Sequence, residues 1–230
     1  MKSTLTIALS ALIALCLVGT DAQAAARAKA RGAHPNAQGG VSAGSASAAG
    51  GPNGTVVRGR AITTDGAGQA KTVSGTAAVG ASGGSYQRAG TSTLNADGSA
   101  AHQSGFRAQG ARGGSANRSG STVRNADGSV QHSASASVTG ANGGSASTSG
   151  GFTRAADGTY GGQRSTNAQG ANGASYSGNT SYANGSGSHT TTATASNGDT
   201  YSGETDWTRG QGATHSGTCK DAAGNIIPCR

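Results

Sequence analysis

Five histidines, three cysteines and nine acidic residues are the groups with which this 230-residue chain could do acid–base, metal or nucleophilic chemistry. Their spacing supports none of these. His102 and His132 occupy equivalent positions of a repeat, while His34, His189 and His215 are scattered. In an antiparallel sheet the first two would stand two strands apart, roughly 9–10 Å, which is beyond the reach of a shared metal ion. Asp65, Asp97, Asp127 and Asp157 sit beside glycines in turn signals, with no second carboxylate nearby to complete an acid and base pair. Serine is abundant but is nowhere patterned with His and Asp. The glycine-rich segment from Gly80 to Gly84 lacks the Lys-Ser/Thr signature and the helix of a phosphate loop. No catalytic residue, cofactor or metal site is expected.

Two sets of residues remain. Cys219 and Cys229 are the only cysteines after an N-terminal leader, and an even pair in an exported chain predicts a disulfide closed by the turn at Asp221–Asn225. Arg88, Arg107, Arg118, Arg124 and Arg154 recur along the repeats in a chain of formal charge +8. A basic balance favours contact with anionic polymers. Tyr86 and Phe152 could add stacking, although aromatic residues make up only 3% of the chain, which is thin for nucleic-acid binding.

The element that must position these residues is a repeat with a period of thirty. It reads GASGGSYQRAGTSTLNADGSAAHQSGFRAQ from Gly80, GARGGSANRSGSTVRNADGSVQHSASASVT from Gly110 and GANGGSASTSGGFTRAADGTYGGQRSTNAQ from Gly140. Such periodicity marks an array of small units in place of one globular core. Its large apolar side chains are only Tyr86, Leu94, Phe106, Val123, Val130, Val138, Phe152 and Tyr160. Burying all eight could not offset the entropy of ordering ninety residues. Backbone ladders or assembly must supply the rest, or the chain is largely disordered.

Turn signals divide each repeat in half. Asp97-Gly98, Arg112-Gly113, Asp127-Gly128, Asn142-Gly143, Asp157-Gly158 and Asn172-Gly173 follow one another at steps of fifteen. Asp-Gly and Asn-Gly suit tight hairpin turns, whose two central residues both need positive φ. Between turns, Val130, His132, Ala134, Ala136 and Val138 alternate with polar residues, the two-residue period of a strand. About eleven residues remain for each strand, with Gly90, Gly105, Gly120 and Gly150 as points where it could break in two. The fold expected is an all-β, repetitive antiparallel meander of hairpins with fifteen-residue steps. A β-solenoid is disfavoured, because it would stack Asp97, Asp127 and Asp157 in a column of like charge.

Parity then assigns faces. A two- or four-residue turn pairs an even position with an odd one, placing Ala89, Thr91, Thr93, His102, Phe106, Val123, Val130, His132, Ala134, Ala136, Val138 and Tyr160 on one face. The other would carry Arg88, Arg107, Arg118, Arg124 and Arg154 with Tyr86, Leu94 and Phe152, leaving Arg164 opposite them and Arg112 in a turn.

Outside the repeats, residues 1–24 have the plan of a secretory signal, with Lys2, an apolar run from Leu5 to Val18 and an Ala22-Gln23-Ala24 cleavage site. A lipid-anchored Cys16 is disfavoured by the bulky Leu15 before it. No other stretch is apolar enough to cross a membrane. Residues 25–54 are expected to be a flexible basic linker, 55–79 the entry to the array, 170–218 a degenerate continuation rich in Tyr, Ser, Thr and Asn, and 219–230 the disulfide loop.

With its GANGGS and NADGS turns and its closing C-x-D-x-x-G-x-x-x-x-C, the chain from residue 52 to 230 resembles the Gly/Ser/Asn-rich exported repeat proteins of Gram-negative bacteria. Curli subunits share secreted strand repeats of this composition, but their spaced Gln and Asn ladder positions are missing here. The expected function is that of an exported, non-enzymatic structural or adhesive protein of the cell surface or extracellular matrix, self-associating through strand edges. The alternative is a module whose arginine face binds anionic polysaccharide or extracellular DNA.

Overall fold

A computed structural model describes residues 26–229, so the expected signal segment and Cys16 lie outside the described residues. The described chain is all-β and has no helix. It divides between Arg112 and Gly113 into two compact units. The first holds β1 (Ala26–Pro35), β2 (Val41–Gly51), β3 (Gly54–Thr64), β4 (Ala70–Gly80), β5 (Ser85–Leu94) and β6 (Ala100–Gln109). The second holds β7 (Ser115–Arg124), β8 (Val130–Thr139), β9 (Ser145–Arg154), β10 (Tyr160–Gln169), β11 (Ser175–Ala183), β12 (Ser186–Thr194), β13 (Thr200–Thr208), β14 (Gly212–Lys220) and the short β15 (Ile226–Ile227). Within each unit every strand pairs antiparallel with its sequence neighbours, which is the expected meander and sets the solenoid aside. The strands run unbroken through Gly90, Gly105, Gly120 and Gly150.

Residues 26–51, expected to belong to a flexible linker, instead form β1 and β2. The physical reason is in the sequence. Arg27-Ala28-Lys29-Ala30-Arg31 has the two-residue period of a strand, and Asn36-Ala37-Gln38-Gly39-Gly40 repeats the frame of the NADGS turns.

The repeating connection is a three-residue loop. At Asn95–Ser99 the Asn95 N–H donates to the Ser99 carbonyl at 2.9 Å, and the Gly98 N–H donates to the Asn95 carbonyl at 3.0 Å. Gly98 alone takes positive φ, at 80°. This is a type I turn followed by a left-handed glycine that forms a bulge. The same pair of bonds closes Asn36–Gly40, Gly80–Gly84, Asn125–Ser129, Gly140–Gly144, Ala155–Thr159, Gly170–Ala174, Ala195–Asp199 and Asp221–Asn225. The expectation that Asp and Gly would both be left-handed is corrected: the aspartate stays right-handed, and its carboxylate caps the turn by accepting the N–H two residues on. Asp97 does so from Ser99 at 2.9 Å and Asp127 from Ser129 at 2.8 Å. Among the described residues only Asn184, at φ 49°, is a non-glycine with positive φ; Asn184-Gly185 is the two-residue turn that the dipeptide predicts.

Loop length overturns the parity argument. A three-residue loop pairs odd with odd and even with even, as Leu94 opposite Ala100 shows. Within each unit, among the described residues, only the two-residue loops at Pro52-Asn53 and Asn184-Gly185 exchange the parities.

Each unit is a single layer, and Val57 is the one buried hydrophobic residue among those described, at 8% exposure. With no second layer, backbone ladders and same-face pairs hold the sheet. Aromatic rings in the second unit extend over glycines, into the space a Cβ would fill. Tyr182 covers Gly162, Trp207 covers Gly187, and Tyr201 covers Gly203 and Gly217. A Cβ at Gly187 would overlap the Trp207 ring, so Gly187→Val is expected to lose roughly 1–3 kcal/mol of stability. It should also red-shift the emission of Trp207, the chain's one tryptophan; an unchanged spectrum and denaturation midpoint would contradict this packing.

The turn carboxylates of Asp97, Asp127, Asp157 and Asp221 are held below the ordinary range by their bonds to Ser99, Ser129, Thr159 and Asn225. A depressed folded value means that the turns contribute fully above the unfolded value, near pH 4, and lose that contribution as pH falls through the folded one. The thermal midpoint should therefore be flat from about pH 7 to 5 and decline below about pH 4, as a pH series of melting curves would register.

Candidate functional site

The corrected register redraws the arginine face. In the second unit Arg118, Arg124 and Arg154 do share a face, and Arg164 joins them: Arg124 stands opposite Val130, Val130 opposite Arg154, and Gly150 opposite Arg164. His132, Val138 and Tyr160, expected on the other side, lie on this face too, and His132 stacks on Phe152 with ring centroids 5.3 Å apart. In the first unit Arg88 and Arg107 part company. Arg88 is opposite Phe106, whereas Arg107 is opposite Gln87 and projects from the reverse side. The five-arginine set is thus three residues on one face of the second unit and two on opposite faces of the first.

The faces of the second unit differ in chemistry along their length. One bears arginines, histidines and the rings of Phe152, Tyr160, Tyr176, Tyr182, Tyr201 and Trp207. The other is a lawn of hydroxyls and amides, bonded across strands by Asn117 to Ser137 at 2.7 Å, Ser119 with Ser135 at 2.9 Å and Ser181 with Ser188 at 3.0 Å. Glu204 and Asp206 belong to this hydroxyl side, so no strand carboxylate neutralises the arginines.

Histidine placement follows one rule that was not visible in the one-dimensional spacing. His102, His132, His189 and His215 each stand directly opposite a Ser or Thr, with Nδ1 sharing a 2.8 Å hydrogen bond with Ser92, Thr122, Thr180 and Thr205. Aligning each His with its hairpin partner would have found the pairing, but only after the loop length was known. Among the described residues no three His, Cys, Asp or Glu side chains gather as a metal group would require. A recess of about 360 Å³ bounded by Val138, Ala146, Ala168 and Tyr176 contains no acid, base or thiol besides the Tyr176 phenol.

The expected disulfide is present. Cys219 and Cys229 are bonded, with Cα atoms 5.3 Å apart, tying the C-terminal segment to β14. β15 covers the outer edge of β14 only at Cys219 and Lys220. No described helix is long and apolar enough to cross a membrane. Comparison with protein-family models, with curated proteins and with solved structures finds no match to this chain.

The His–hydroxyl pairs are cross-strand fasteners with a measurable contribution. Thr180→Val should reduce stability by about 0.5–1.5 kcal/mol, the usual net value of one hydrogen bond. The double variant with His189→Ala should show coupling in urea denaturation; strictly additive effects would dissolve the pair.

Proposed function

We propose that the protein is an exported, non-enzymatic structural or adhesive β-repeat protein of the cell surface or extracellular matrix. The observation that carries this reading is the single-layer sheet of each unit, open on both faces, which offers contact area where enzymes offer an enclosed site. The signal-like leader, the disulfide and the resemblance to exported Gly/Ser/Asn-rich repeat proteins support the same reading. Its edges are graded. β1 carries Arg27, Lys29, Arg31 and Pro35, the charged and proline-bearing composition that discourages strand addition. In the second unit β14 is guarded only by β15 and its disulfide. Self-association would therefore begin at β14.

A second reading, a binding module for anionic polysaccharide or extracellular DNA, is favoured by the cations that stand without strand carboxylates on their faces. The two readings separate by ionic strength. In sedimentation and fibre diffraction, a structural role is expected to give cross-β assembly that salt leaves unchanged and disulfide reduction accelerates. A monomer that stays monomeric when concentrated and reduced, and that holds an anionic polymer only at low salt, would replace the first reading by the second.

A further inference from the structure

We propose that one face of the first unit is a docking surface for a linear acidic polysaccharide of the polyuronate class. This rests on the second reading above and narrows it to one polymer and one set of residues. The register places Arg27, Lys29 and Arg31 of β1, Arg58 and Arg60 of β3, and Arg88 of β5 on a single face. All six are exposed. The two described carboxylates of this unit, Asp65 and Asp97, are in turns beyond the strand ends, so the field on this face is cationic throughout.

The cations form a lattice with hydroxyls between them. Lys29 faces Ser47, Ser47 faces Arg58, Arg58 faces Thr76 and Thr76 faces Arg88, all in one row across five strands. The adjacent row runs Arg31, Ser45, Arg60, Ser74. Strand geometry sets the cations roughly 9–10 Å apart across the sheet and about 6.5–7 Å apart along a strand. Two properties of this lattice choose the polymer. Duplex DNA carries one charge per about 1.7 Å of axis, far denser than these rows can neutralise. Single-stranded nucleic acid is gripped by aromatic rings between the cations, and on this face no aromatic ring lies on β1 to β4, His34 of β1 being on the reverse side; Tyr86 and Phe106, stacked at 6.0 Å, are at the far margin. A polyuronate presents what the lattice complements, namely separated carboxylates joined by hydroxyl-bearing rings. Arginine pairs with the carboxylates, and the intervening Ser and Thr hydroxyls bond the sugar hydroxyls.

The test is binding of the full disulfide-bonded chain to alginate, with dextran and oligo-dT as comparison polymers, by titration at rising salt. Wild-type protein should bind alginate, should ignore dextran, and should lose affinity as salt rises. The pair Arg58→Glu and Arg60→Glu should weaken alginate binding roughly tenfold or more, while Arg118→Glu and Arg154→Glu in the second unit should change it less than about twofold. Should the glutamate pair disturb folding by circular dichroism, Arg58→Gln with Arg60→Gln replaces it, and Arg58→Lys with Arg60→Lys should retain most of the affinity. Loss confined to the second-unit variants would overturn this site while leaving the anionic-polymer reading standing. Tighter binding of oligo-dT than of alginate at matched salt would overturn the polymer class. Binding of neither anion by wild-type protein would remove the second reading itself.

Discussion

The structure depends on the left-handed glycine that ends each three-residue loop. At positive φ a side chain is strained, so Gly39, Gly98, Gly128, Gly158 and Gly224 fix where each hairpin reverses. Because the loop between the pairing residues is odd in length, positions of equal parity meet across every such hairpin. That one geometric fact decides which side chains share a face. It brings His132 against Phe152 and Thr122, gathers the arginines of the second unit with its rings, and leaves the opposite side to serine and threonine. A two-residue loop would invert every strand that follows it, as happens once in each unit.

A single layer has no interior, so the usual division between core and surface does not apply. The second unit replaces layer-on-layer packing with rings laid over glycines of the adjoining or the same strand. Glycine in a strand is ordinarily a weakness, since it adds chain entropy and offers nothing to pack. Beneath Trp207 or Tyr182 it becomes a seat, and the ring shields a ladder that would otherwise face water. At these positions glycine and ring are two sides of one arrangement, the large ring occupying the space that a bare backbone leaves.

The sequence made the hairpin step, the antiparallel meander and the Cys219–Cys229 bond legible, because turn dipeptides and an isolated cysteine pair are local signals. The faces were not legible. Asp97-Gly98 looks like the centre of a two-residue turn, yet the hydrogen bonds use it as the third and fourth positions of a type I turn. This difference of one residue misassigned Arg107 and Arg164. Asn184-Gly185, an identical kind of dipeptide, does form the two-residue turn, so the dipeptide alone does not determine loop length. β1 and β2 were hidden by composition. Ala, Gly and Ser are poor strand formers in isolation, and the alternation of Arg27, Lys29 and Arg31 with alanine was outweighed by that bias, although it obeys the same period as Val130 to Val138.

Recovering β1 changes where the charge of this protein acts. As a flexible tail, its three cations would be dispersed in solvent and largely independent. As a strand in register with β2, they fall in line with Arg58, Arg60 and Arg88, and their separations become fixed by the ladder. In the docking proposed above, fixed spacing would convert net charge, which attracts any polyanion, into a pattern that discriminates among them by charge density and by what lies between the charges. The same residues also blunt the first edge against strand addition. In the proposed docking, one strand would protect the sheet from its own copies and offer a face to a different partner, and the two roles are compatible because edge and face are perpendicular directions of the same element.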